Sequence, residues 1–166
     1  MNILISKEAL QSRVLELGAE IDRRFAGEPY VMLVVLNGGM VFGADLLRAL
    51  QGDVRLDSFA VHSYEGEKSG GKLQFRTQPK YALTGKNILL VDDIFDSGLT
   101  LSELHAYLLP QGVKSIVSCV LLDKKVPKKT DYRPDLVGFS IEPAFVIGYG
   151  LDMAEKYRNF PDIRTL

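Results

Sequence analysis

The sequence predicts an α/β protein with a parallel-sheet core flanked by helices, and three observations carry that prediction. Tyr30–Leu36 (YVMLVVL) and residues 87–91 (NILLV) are apolar without alternation, the pattern of strands buried on both faces. Around them, apolar residues recur at helical spacing, as Leu10, Val14, Leu17, Ile21 and Phe25 do. Residues 87–122 then run strand, loop, helix, strand, a βαβ unit that implies parallel pairing.

Taken in order, Ser6 is placed to cap the first helix, and Gly27 and Pro29 end it. Asn37-Gly38-Gly39 breaks the strand at 30–36. A short helix follows through Phe42, Leu46, Leu47 and Leu50, and then a strand over residues 54–63. Residues 64–84 differ, with Gly66, Gly70 and Gly71 among Glu65, Glu67, Lys68 and Ser69, and Pro79 beyond. Only Leu73-Gln74-Phe75 looks strand-like there, so the stretch predicts a mobile lid, with surface disorder as the alternative. After the strand at 87–91 come a polar loop over 92–99, a helix over 100–109 with Leu101, Leu104 and Leu108 on one face, and a strand over 113–122. A basic loop over 124–133 leads to short strands at 136–139 and 145–147. No repeat and no interdomain linker interrupts the chain, which reads as a single domain over 1–166.

With 166 residues, 46% of them hydrophobic, the chain can bury a sizeable core. A net charge of −1 argues against a generally basic nucleic-acid binder. The apolar run at 30–36 is far too short to span a bilayer, and no positive segment precedes an apolar stretch at the N-terminus. The expectation is a cytoplasmic protein with no membrane partner. Cys119 is the one cysteine, so neither an internal disulfide nor a cysteine-built zinc site can form; it is expected to be a buried apolar residue. His62 and His105 leave little for a histidine-rich metal centre and are expected to be structural or surface residues.

In parallel sheets, ligands bind beyond the carboxyl ends of the strands, where the loops at 37–39, 92–99 and 123–125 converge. Residues 88–100 (ILLVDDIFDSGLT) carry the most information. Two adjacent carboxylates, Asp92 and Asp93, leave a hydrophobic strand together. Such a pair can accept hydrogen bonds from vicinal sugar hydroxyls or hold a divalent cation. Residues 96–100 then bring a glycine, two hydroxyls and backbone N–H groups to a helix N-terminus, which makes a phosphate cradle. Helix capping by Asp and Ser is the bland alternative, but it does not call for two acids at the strand end. The nucleotide P-loop pattern Gly-x-x-x-x-Gly-Lys-Ser/Thr is absent.

Residues 88–100 closely resemble the signature of the type I phosphoribosyltransferases, which bind 5-phosphoribosyl-1-pyrophosphate, and other segments resemble that superfamily's hypoxanthine-guanine branch. Leu36-Asn37-Gly38-Gly39-Met40-Val41-Phe42 is similar to its pyrophosphate loop, and Ser63-Tyr64 to the dipeptide opening its mobile catalytic loop. Leu121-Leu122-Asp123-Lys124 is similar to its purine-reading lysine segment. Asp135-Leu136-Val137-Gly138-Phe139, residues 145–152 and Tyr157-Arg158-Asn159 are similar to its C-terminal signature. The matches run in the family's order from about Val31 to Arg158.

The resemblance implies the type I phosphoribosyltransferase fold, with a core over about 1–125 and a small C-terminal hood from about 126 to 166, to which the N-terminal segment can contribute. It implies purine salvage: the phosphoribosyl group passes to N9 of hypoxanthine or guanine, pyrophosphate leaves, and IMP or GMP forms through an oxocarbenium-like transition state, with Mg2+ as cofactor. By the same resemblance, Asp92 and Asp93 hold the ribose hydroxyls and keep negative charge near the developing cation. Asp96 is the candidate general base at purine N7. Ser97, Gly98, Leu99 and Thr100 take the 5′-phosphate; the family usually has threonine at the first of these positions and often lysine at the third. Leu36, Asn37, Gly38 and Arg158 meet pyrophosphate, although Asn37 stands where lysine or arginine is often found and so removes one positive charge.

Lys124 would donate to the purine O6; an ammonium is donor-only and disfavours the 6-amino group of adenine. Ile94 and Phe145 would sandwich the purine, and the Val146 backbone would read its Watson–Crick edge. Asp152 lies beside the purine and matches a magnesium ligand, with Asp92 and Asp93 as further candidates. Ser63 and Tyr64 would open a loop that closes over the site and excludes water. Each role has a plainer rival: Lys124 as one of a solvated run with Lys125, Lys128 and Lys129; Ile94, Phe145 and Val146 as core; Asp152 as the N-cap of a short helix through Glu155; and Arg158 as a surface residue. A homodimer or homotetramer is implied as well. Competing functions are a xanthine-preferring relative, a same-fold regulatory protein that senses nucleotides or binds RNA, and a bare sugar-phosphate binding module. Asp96 and the missing basic surface count against the regulatory one.

Overall fold

A computed structural model of the chain describes residues 1–62 and 74–166, with His62 described by its backbone alone. The elements are β1 (Asn2–Ile5), α1 (Lys7–Phe25), β2 (Tyr30–Leu36), α2 (Met40–Ala49), β3 (Val54–His62) and β4 (Gln74–Thr77). Then come β5 (Asn87–Phe95), α3 (Leu99–Leu108), a 3-10 turn (Leu109–Gln111), β6 (Ser115–Lys124), β7 (Leu136–Ile141), β8 (Val146–Ile147) and β9 (Ile163–Thr165). Six strands form one sheet in the order β4-β3-β2-β5-β6-β7, parallel throughout except for the β3–β4 pair.

The unbroken apolar runs of β2 and β5 follow from helices on both faces. Met32, Val34, Leu89 and Val91 pack with the α1 stripe and with Phe42 and Leu46 of α2, whereas Val31, Leu33, Ile88 and Leu90 pack with Leu101, Leu104 and Leu108 of α3. Leu10, Leu17 and Ile21 are fully buried, each contributing roughly 1.5–3 kcal/mol of apolar burial. Ser6 caps α1, its Oγ accepting from Ala9 N at 3.2 Å. Cys119 is fully buried, and burial pushes its thiol up to about 12.

Several boundaries differ from the sequence reading, each for a reason of pairing. β5 does not stop at Val91: its ladder with β6 continues through Asp92↔Val120, Ile94↔Leu122 and Phe95↔Asp123, so both acids of the site stand on a strand instead of in a loop. α3 begins at Leu99, and β6 sits two residues later than expected, ending at Lys124. A second, three-stranded sheet, β1-β9-β8, joins the N-terminal residues to the C-terminal ones through Asn2↔Thr165 and Val146↔Thr165. Its strands β1 and β9 had no local signature. Residues 152–155 form a turn, not a helix. Of the expected lid, Gln74–Thr77 is a strand paired with β3, while Ser63 and Tyr64 lie outside the described residues. No helix among the described residues is long and apolar enough to cross a membrane.

Candidate active site

Strand β2 lies between β3 and β5, so the connections leaving β2 and β5 diverge at their carboxyl ends, the place where open α/β sheets bind ligands. A cavity of about 930 Å³ opens there. Leu36 lines it from the end of β2, Asn37 and Gly38 from the loop that follows, residues 92–101 from β5 and the start of α3, and Asp152, Glu155 and Arg158 from the turns beyond β8. The Leu36–Asn37 peptide is cis.

Asp92 and Asp93 leave β5 on consecutive residues. Asp92 Oδ1 accepts from Asp93 N at 2.9 Å, and Asp93 Oδ1 from Ile94 N at 2.8 Å. Burial, and then the charge of Asp93, push the Asp92 carboxyl well above the usual range. Burial raises Asp93 too, opposed by hydrogen bonds from Asp92 and Ile94 and by the charge of Arg158. Gly38 abuts this pair, since a Cβ at residue 38 would run into the Asp93 carboxylate.

The cradle follows directly. Gly98 has φ +86°, and a Cβ there would meet Thr130 Cγ2 at 2.6 Å and the Phe95 ring at 2.9 Å, so only glycine makes this turn. Ser97, Gly98, Leu99 and Thr100 face the cavity as α3 starts. Lys129 N donates to Ser97 O at 2.8 Å and ties the 126–130 segment to the loop.

Asp96, half exposed, pairs with Lys124, whose Nζ lies 3.0 Å from Asp96 Oδ2 and whose side chain is only 16% exposed. Lys124 does not itself line the cavity, but it is tied to Asp96, which does, and is not a member of a solvated run. Lys128 is buried further, at 10% exposure: its Nζ donates to Asp123 Oδ1 at 2.7 Å, Phe95 O at 3.0 Å and Lys124 O at 2.5 Å, 4.7 Å from the Phe95 ring centroid. Sequence reasoning missed this pin between the ends of β5 and β6, because a lysine among lysines gives no sign of burial.

At the opposite end, Arg158 donates to Gly150 O at 2.6 Å and pairs with Asp152 at 3.0 Å and Glu155 at 2.9 Å. Asp152 is engaged at both oxygens, the second accepting from Glu155 N at 2.8 Å; it caps a turn as well as lining the cavity. Ile94 also lines the cavity while packing on the core. Phe145 and Val146 do not line it: Phe145 is 55% exposed, and Val146 is buried in β8. Among the cavity residues that the sequence did not point to are two cations, Arg76 on β4 and Lys129.

Among the described residues no group of three or more His, Cys, Asp or Glu could hold a metal unaided. Two adjacent carboxylates lining one cavity, Asp92 and Asp93, nevertheless suit Mg2+, which needs only one or two carboxylates when phosphates complete its shell.

Paired acids at a strand end and a glycine turn at the next helix start, facing one cavity at the carboxyl edge of a parallel sheet, mark the ligand-binding site of an α/β protein. The phosphoribosyl transferase domain matches residues 4–154, and the chain belongs to that family. A hypoxanthine-guanine phosphoribosyltransferase of Aquifex aeolicus is 41% identical over 165 residues, covering 98% of this chain and 93% of that protein. One from Bacillus subtilis is 40% identical, covering 99% of this chain and 92% of that protein. The crystal structure of a hypoxanthine-guanine phosphoribosyltransferase from Bacillus anthracis, with a HEPES molecule in its active site, matches with a TM-score of 0.95 at 42% identity, covering 100% of this chain and 98% of that one. The family and fold expected from residues 31–158 are borne out.

Proposed function

We propose that this chain is a magnesium-dependent 6-oxopurine phosphoribosyltransferase of purine salvage. It would join N9 of hypoxanthine or guanine to C1′ of phosphoribosyl pyrophosphate and release pyrophosphate, giving IMP or GMP. The observation that supports the substrate class most is the Lys124–Asp96 pair at 3.0 Å. An ammonium donor beside a carboxylate acceptor complements O6 and a protonated N7, neighbours on one edge of a 6-oxopurine. Adenine offers an amino donor where O6 would be, which an ammonium cannot accept.

As the C1′–O bond to pyrophosphate breaks and the N9–C1′ bond forms, positive charge grows on the sugar and negative charge on the leaving group. Asp92 and Asp93 would bind the ribose hydroxyls and stabilise the first. Arg158, with the Gly38 backbone N–H, would bind the second, the Gly39 N–H being already donated to Val35 O. Asp96 would take the proton from N7, and the cradle at 97–100 would hold the 5′-phosphate. Asp152, Asp92 and Asp93 are the residues that would hold Mg2+, which supplies charge neutralisation for the pyrophosphate. Ile94 and Phe145 are proposed for the purine faces and Val146 for its edge. Ser63 and Tyr64 are proposed for a loop that excludes water from the cation. By the same family resemblance, the core is assigned to about 1–125 and the hood to about 126–166 with β1. The working form is a cytoplasmic homodimer or homotetramer, with neither nucleic acid nor membrane as a partner.

The test is pyrophosphate release with phosphoribosyl pyrophosphate and magnesium against hypoxanthine, guanine, xanthine and adenine separately. Turnover with 6-oxopurines and none with adenine is the expected outcome, and the assay ranks xanthine alongside. Silence with all four bases, in folded protein that still binds the donor, would transfer the site to a nucleotide-sensing role.

A further inference from the structure

We propose that Lys129 and Arg76 supply the positive charge that holds the 5′-phosphate, which the cradle loop does not itself provide. The inference rests on the phosphoribosyltransferase reading above. Residues 97–100 offer hydroxyls and backbone N–H groups, but an uncharged leucine, Leu99, stands among them. A phosphate monoester near neutral pH carries about −1.5 to −2 charges, and hydrogen bonds to it are roughly twice as strong when the donor is also ionised.

Three cations line the cavity among the described residues. Arg158 is engaged by Gly150 O, Asp152 and Glu155 at the other end. Lys129 and Arg76 remain. Both are exposed, and neither has a side-chain hydrogen bond or ion pair among the described residues.

Each is placed by backbone. Lys129 N donates to Ser97 O at 2.8 Å, which fixes residue 129 against the cradle, and Thr130 packs on Gly98. The pin at Lys128 explains why the segment stays there: its buried ammonium holds Phe95 O, Asp123 and Lys124 O together. Neighbouring lysines thus divide the work, one neutralised as an anchor and the next left with its charge at the cavity. Arg76 comes from the opposite wall. On β4, Phe75 pairs with Val61 and Thr77 with Ala60, and both Ala60 and Val61 line the cavity. Glu103 of α3 lines the cavity as well and is engaged in an interaction of its own.

The test compares IMP with inosine, which lacks only the phosphate, by calorimetric titration of the full chain and of Lys129→Met, Arg76→Met and Lys129→Arg. Each methionine variant should weaken IMP about tenfold and flatten the salt dependence of its binding, while inosine affinity stays within twofold and Lys129→Arg stays near the parent. IMP affinity within twofold of the parent in both methionine variants overturns the assignment. Equal weakening of IMP and inosine overturns it too, since the effect would then be general damage to the site. A parent chain that binds neither IMP nor phosphoribosyl pyrophosphate would instead reject the function on which the assignment rests, and this inference with it.

Discussion

The end of the cavity proposed for the 5′-phosphate is one continuous run of chain, residues 97–100, whereas the end proposed for pyrophosphate is assembled from the loop after β2 and from turns far along the sequence. The first is made largely of backbone, the turn at Gly98 and the start of α3, and Lys129 and Arg76 line the cavity beside it. The second is made of side chains that already satisfy one another, Arg158 with Asp152, Glu155 and Gly150 O. A ligand entering the first end meets N–H groups and cations in waiting. A ligand entering the second must exchange internal ion pairs for its own. The difference predicts that the two anionic groups of one substrate are bound by separable energies, and substitutions can break or sharpen that separation.

The largest effect belongs to Asp96, which lies between the ends. Asp96→Asn should lower kcat by about 10² to 10⁴ while leaving the KM of the phosphoribosyl donor within about threefold. Steady-state kinetics with both substrates varied checks it; an equal loss in kcat and donor affinity would remove the proton-transfer role.

Next is Lys128, the pin behind the 5′-phosphate end. Its ammonium is nearly buried against Asp123, so Lys128→Met strands a carboxylate and should cost about 2–4 kcal/mol. At this chain length that is a fall in Tm of about 5–15 °C, read by calorimetry. Arg158→Ala offers the contrast. Its side chain is 20% exposed and its partners are more exposed still, so stability should change by about 1 kcal/mol or less. Pyrophosphate affinity should nonetheless fall about tenfold to a hundredfold, with IMP affinity little changed. Equal weakening of both ligands in a calorimetric titration would mean that the two ends are one site energetically.

The same division decides what could be read in the sequence. β2, β5 and α1 were legible because burial leaves a local pattern: unbroken apolar strands and a four-three-four stripe. Residues 92–100 were legible because the whole cradle is contiguous. The extension of β5 to Phe95 was not, because it depends on β6 lying alongside to Lys124. β1 and β9 were not, because Asn2↔Thr165 joins the two ends of the chain. At the pyrophosphate end, the resemblance named Asp152 and Arg158, but nothing local announced that they pair. That contact depends on turns in which Tyr149, Ala154, Glu155 and Tyr157 all take positive φ, a conformation their side chains do not advertise. Lys128 and Lys129 look alike in sequence, yet one is a neutralised anchor and the other faces the cavity; only the position of Asp123 separates them.

The smallest effect tests whether the acid pair is strained by its setting. Burial first, and the Asp93 charge second, raise the folded-state pKa of Asp92 above the unfolded value of about 3.9. Between those two values the folded protein binds more protons than the unfolded chain, so stability falls as pH rises through that window, and the full cost is present above it. Asparagine has the same shape and no charge to bury. Asp92→Asn should therefore be more stable than the parent by about 0.5–2 kcal/mol at pH 8, with the gap narrowing as pH falls toward 4. Urea unfolding at a series of pH values, with chelator present, measures it. A gap independent of pH would show that the substitution acts through packing or hydrogen bonding, and that the buried charge costs the fold little. A gap that closes on acidification would place Asp92 with the residues a protein keeps for its substrate at the expense of its own stability.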